Sequence, residues 1–167
     1  ELSPEVKTIT RSFYGAADGQ YRLASAALVD DMVTRSDTFE ESLDGRRISS
    51  NYNHVAGRAK GEEVSWYTSN YEWDGDFIDG EWVNQTVKDT TVYWYKNSSG
   101  ALAHAGETLG GKLLVTPASL MAESMVYRCD ADSDTSGAKI DADYMNSPDM
   151  KYDGVDVIKN RISKNVY

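Results

Sequence analysis

The sequence predicts an α+β fold, with a long N-terminal helix packed on an antiparallel sheet and a loop-rich acidic C-terminal region ending in a short helix. Three observations carry this expectation. Apolar residues recur at three- and four-residue steps from Val6 to Met32, aromatic-rich alternating runs punctuated by turn dipeptides fill residues 38–116, and the chain becomes polar and acidic from Cys129 onward. With 167 residues and 40% hydrophobic content, the chain is long enough to bury a substantial core as one domain. That domain divides into an N-terminal helix (1–36), an antiparallel sheet (38–116) and a C-terminal region (117–167).

The helix is expected to begin at Ser3-Pro4-Glu5, with Ser as N-cap, Pro in the first turn and an acid close behind. Val6, Ile9, Phe13, Ala17, Tyr21, Ala24, Leu28 and Met32 then form one apolar stripe. Gly15 and Gly19 interrupt it without changing its phase.

Residues 38–43 and 46–55 read as a hairpin closed by Asp44-Gly45. Residues 66–95 hold all four tryptophans, Trp66, Trp73, Trp82 and Trp94, with Tyr67, Tyr71, Phe77, Tyr93 and Tyr95 between them. Within this stretch residues 90–96 alternate as a strand, and Asp74-Gly75 and Asp79-Gly80 mark turns. After Pro117 a short helix over 117–125 competes with a strand over 125–128. The final helix is placed at 153–163, where Val155, Ile158 and Ile162 share a face and acids and bases follow the helix dipole.

The net charge of −10 and sequence pI near 4.6 argue against nucleic-acid partners, since phosphate backbones repel such a surface. No apolar run approaches the roughly 20 residues that span a bilayer. The chain opens at Glu1 rather than Met, as a mature or truncated form would. Cys129 is the only cysteine, so no intramolecular disulfide forms, and the adjacent Asp130 opposes thiolate chemistry.

No catalytic signature stands out. Gly106 to Lys112 follows most of a phosphate-loop pattern, but Leu113 replaces the metal-holding hydroxyl. His54 and His104 lack further ligands at zinc spacing. Glu72, Asp74, Asp76, Asp79 and Glu81 crowd the central turns. They suit either a carboxylate pair for glycoside chemistry or a polar rim around a binding face. Trp66, Trp73, Trp82 and Trp94 are the candidate ligand-binding residues, because indole rings offer broad apolar area with a polar edge. The same rings also serve a core.

Residues 132–143 read D-S-D-T-S-G-A-K-I-D-A-D and resemble the twelve-residue calcium loop of EF-hand proteins. The resemblance implies a calcium site with Asp132, Asp134, Ser136 and Asp143 as ligands and Gly137 at the sharp turn. Lys139 and the short Asp143 depart from that pattern. The order of elements resembles the soluble region of type IV pilins and pseudopilins. This implies a non-enzymatic extracytoplasmic subunit, secreted or at the cell surface, for assembly or adhesion. Calcium would stabilise it, its partners would be other proteins including copies of itself, and it would meet a membrane only through a segment outside this chain. The same order also resembles cone-shaped NTF2-like domains, which implies a pocket for a small ligand. A carbohydrate-binding module is the third reading, and it requires several of the tryptophans to be exposed.

Overall fold

A computed structural model of the chain describes residues 7–79, 81–83, 85–128 and 161–167. Two strands occupy the predicted helix: β1 (Thr8–Gly15) and β2 (Met32–Glu40), paired antiparallel. A single 3-10 turn at Ala24–Ala26 is the helical structure among the described residues. The α+β expectation is therefore corrected to an almost wholly β fold. The physical reason lies in the residues themselves. The run TITRSFYG is rich in β-branched and aromatic side chains, which favour a pleated surface, and Ile9, Arg11 and Phe13 alternate as well as they fit a helical stripe. Gly15 comes so close to Gln20 that a Cβ there would lie 2.6 Å from the Gln20 Cβ, and Gly19 takes a positive φ of 79°. These glycines turn the chain back rather than bend a helix.

Eight strands form the main sheet, which adds β3 (Arg47–His54), β4 (Val64–Tyr71), β7 (Val87–Lys96), β8 (Leu102–His104), β11 (Met121–Arg128) and β12 (Arg161–Val166). Its order is β1-β2-β3-β4-β7-β11-β12, and β8 takes over from β4 along the end of β7. A hairpin of β5 (Asp76–Ile78) and β6 (Glu81–Val83) projects between β4 and β7. A second small hairpin pairs β9 (Thr108–Leu109) with β10 (Lys112–Leu113). Gly110 and Gly111 turn that hairpin at positive φ, so the phosphate-loop pattern is a two-residue turn.

Two further expectations change. Residues 161–163, the end of the predicted final helix, lie in β12, while residues 153–160 fall outside the described residues. Most of the short helix sought at 117–125 is instead a turn and the start of β11. No helix among the described residues is long and apolar enough to cross a membrane.

Register separates the two faces. Phe13, Arg35, Tyr52, Tyr67, Val92 and Met125 stand opposite one another across six strands on the inner face. The neighbouring row on the outer face is Ser12, Ser36, Asn51, Thr68, Thr91 and Val126. Apart from Arg35 in the first row and Val126 in the second, apolar and aromatic side chains meet the core while short polar ones lie on the other face, as a one-sided antiparallel sheet requires. Every pairing along the sheet path carries a register shift. Such bulges bend strands and strengthen twist, and here they bring residues of successive strands over one core. Trp66, Tyr67, Val92, Trp94, Val115 and Met125 lie in that core, closed by Ala103 and Ala105.

Candidate functional site

The tryptophans do not form one face. Trp66 and Trp94 are buried in the core, each edge-on to a histidine: Trp66 to His54 at 5.1 Å and Trp94 to His104 at 5.9 Å. Trp73 and Trp82 instead both line a surface cleft of about 480 Å³. Trp73 is 73% exposed.

One wall of the cleft is the β2–β3 turn. Glu40 N–H donates to the Arg46 carbonyl (2.9 Å) and Gly45 N–H to that of Ser42 (3.0 Å). Glu41 takes a left-handed φ of 59°, a conformation that non-glycine residues adopt rarely and keep when their surroundings fix it. Gly45 is required by space, because a Cβ there would fall 1.7 Å from the Glu40 carbonyl oxygen.

The opposite wall is the link from β4 to β5. Gly75 has φ +97°, and a Cβ on it would meet Gln85 Cγ at 2.5 Å. Thr86 N–H donates to Asp74 (2.9 Å). The Thr86 hydroxyl and backbone N–H hold the Asp74 carboxyl below the usual carboxylate range, so it is charged at neutral pH.

Trp82 joins the walls by donating its indole N–H to the Gly45 carbonyl (2.7 Å), and Phe77 packs against it at 5.7 Å. The Arg46 guanidinium lies 4.1 Å from the Trp73 ring centroid, and Arg46 Nε approaches Glu40 Oε2 at 3.5 Å. The cleft thus combines an open indole, one cation already stacked on it, and carboxylates from Glu40, Glu41 and Asp74. An aromatic platform with hydrogen-bond acceptors around it suits a ligand with an apolar face and a hydroxylated edge.

A second polar group borders the cleft behind Trp82. Asp37, 2% exposed, receives Ser50 Oγ–H at 2.6 Å and ion-pairs with Arg35 (3.0 Å) and Arg47 (3.6 Å). Tyr71 donates to Ser50 Oγ at 3.2 Å. Gln85 accepts from Arg47 Nε at 3.0 Å, which ties this network to the strand entering β7.

The two histidines are distant in role from the cleft. His54 Nε2 faces Asp18 Oδ2 at 3.4 Å, and its Nδ1 accepts from Arg58 Nε at 3.4 Å. Burial lowers the His54 pKa; Arg58 adds to that and Asp18 opposes it. Burial, with a smaller push from His54, lowers the His104 pKa to about 4. Both rings are therefore neutral core groups at pH 7. The described residues contain no group of three or more His, Cys, Asp or Glu placed to hold a metal ion. The predicted calcium ligands Asp132, Asp134, Ser136 and Asp143 lie outside the described residues.

No family model, no curated protein and no solved structure matches this chain. Sequence reasoning singled out Trp73, Trp82 and Asp74 but missed Glu40, Glu41, Arg46 and the Arg35–Asp37–Arg47 network. The signal available for the first group was Glu40-Glu41 beside the Asp44-Gly45 turn. For the network it was the alternation Arg35, Asp37, Phe39, concealed under the apparent helix.

Proposed function

We propose that the protein is a non-enzymatic extracytoplasmic adhesion module that binds carbohydrate in the cleft lined by Trp73 and Trp82. The observation that carries this reading is Trp73, an indole left 73% exposed between two walls that glycines and backbone hydrogen bonds fix in place. Sugar rings present C–H faces that stack on such a surface while their hydroxyls reach nearby carboxylates. Arg46 already occupies the cation position on that ring, which disfavours a quaternary ammonium ligand. The burial of Trp66, Trp94, His54 and His104 disfavours the NTF2-like reading, which needs those groups around a pocket.

The adhesion reading is tested by electrophoresis through gels containing soluble polysaccharides. The native protein is expected to be retarded by at least one of them. Trp73→Ala is expected to weaken binding by about tenfold or more, equivalent to about 1.4 kcal/mol. Equal retardation of the two proteins would remove the cleft from the binding site.

Assembly through copies of the chain has separate support. Among the described residues no strand pairs with the outer edge of β12, and that of β1 is covered by another segment only where Arg22 bridges Tyr14; unpaired edges template strand addition. Analytical ultracentrifugation tests this, and a monomer at all concentrations would count against it.

A further inference from the structure

Resting on the glycan reading of the cleft, we propose that its ligand is an acidic glycan, and that Arg11 takes the oxyanion, a carboxylate or a sulfate ester, carried by the sugar. Arg11 stands directly opposite Asp37 in the β1–β2 pairing, beside Arg35 and Arg47. These four residues, with Phe39 and Trp82, line one depression. Trp82 also lines the cleft, so the cleft and the depression have this indole in common.

Among the described residues the charges lining this depression do not balance: three guanidiniums, Arg11, Arg35 and Arg47, line it with one carboxylate, Asp37. Arg35 and Arg47 are committed to it at 3.0 and 3.6 Å, and Arg47 is held further by Gln85. Arg11 stacks on Phe39 at 5.2 Å and makes no ion pair or side-chain hydrogen bond among the described residues. Contact with a ring engages the face of a guanidinium and does not consume its in-plane N–H groups, which donate to carboxylate or sulfate oxygens. The positive charge is confined to this depression, whereas Glu40, Glu41 and Asp74 line the larger cleft, so an anionic substituent is favoured only on the Arg11 side of Trp82, away from those carboxylates.

Size selects the group. The depression encloses about 20 Å³, room for one oxygen of a carboxylate or sulfate with the rest of the group at its mouth, and not for a sugar ring. A ring seated on Trp73 in the larger cleft would extend an exocyclic oxyanion toward Trp82 and Arg11. Arg35 and Arg47 act as positioning residues that hold Asp37 and set the positive field.

The test uses the intact protein and two matched pairs of probes: a uronic-acid oligosaccharide with its carboxyl-reduced neutral counterpart, and a sulfated oligosaccharide with its desulfated counterpart. Calorimetry gives the affinity ratio within each pair, and the pair that shows a difference tells carboxylate from sulfate. The acidic member of one pair is expected to bind about tenfold more tightly. The ratio should shrink as salt rises, because ion pairing at a partly exposed site is screened. Arg11→Gln should bring the ratio near one, and Arg11→Lys should keep part of it. The indole NMR signals of buried Trp66 and Trp94 serve as the folding control for both variants. Ratios near one for both pairs in the native protein, or an unchanged ratio in a folded Arg11→Gln, would overturn the oxyanion site while leaving glycan binding intact. Failure of all four probes to bind would instead overturn the glycan reading, and the oxyanion site with it.

Discussion

Asp37 shows at the scale of one residue how this protein uses a buried charge. Its carboxylate is 2% exposed and holds Arg35, Arg47 and Ser50 together on the inner face. Arg35 in turn stacks on Phe13 and Tyr21 at 4.0 and 4.6 Å, and Arg47 on Tyr71 at 4.3 Å. Removing the carboxylate leaves two guanidiniums with little access to water. Asp37→Ala is expected to destabilise the fold by about 3–5 kcal/mol, the usual cost of breaking one side of a buried pair. Urea denaturation measures this, and a loss under about 1 kcal/mol would mean that water reaches the network freely. The tryptophans teach a related lesson. All four were visible in the sequence as one aromatic set, but their assignment to core or cleft depends on strand register and on which of them fall outside the main sheet. The register shift at Tyr52/Asn53 sets Trp66 beside Tyr67 within β4, and both are buried, an outcome that simple alternation does not give.

At the scale of the element, hairpins were legible and the N-terminal strands were not. The Asp44-Gly45 turn and the alternation of residues 90–96 carry local signals, and they appear as the β2–β3 connection and part of β7. In residues 6–32 the three- and four-residue spacing of apolar side chains fits a helix, yet β1 gains its stability by pairing with β2, a partner about 24 residues away. Tertiary pairing overrides periodicity there. The β2–β3 turn also carries a prediction. Gly45→Ala places a methyl group 1.7 Å from the Glu40 carbonyl oxygen, so the turn must open. It should lose the hydrogen bond from the Trp82 indole at a cost of about 1–3 kcal/mol, as for other overpacked sites. The variant is expected to lower both the melting temperature and glycan affinity. An unchanged affinity would show that the turn does not shape the cleft.

For the whole molecule, the two histidines in the core make stability depend on pH. His104 has a native pKa of about 4, depressed by burial, against about 6.5 in an unfolded chain. Between these values the unfolded state binds more protons than the native state, so stability falls as pH falls. His54 is lowered as well and acts in the same direction. From pH 7 to pH 4 the loss attributable to His104 is roughly 3 kcal/mol. Urea midpoints across this range should drop in the native protein and flatten in His104→Gln. A native profile already flat over the same range would contradict the burial of His104.

On the proposed function, two indoles, Trp66 and Trp94, build the core and two, Trp73 and Trp82, line a glycan cleft. The most direct measurement is a proton–nitrogen NMR titration of the four tryptophan indole N–H signals with an oligosaccharide selected by gel retardation. Two signals, assigned to Trp73 and Trp82, should shift and saturate together. Those of Trp66 and Trp94 should hold their positions and exchange slowly with solvent. Movement of the core pair, or no movement of the cleft pair at saturating ligand, would contradict the account.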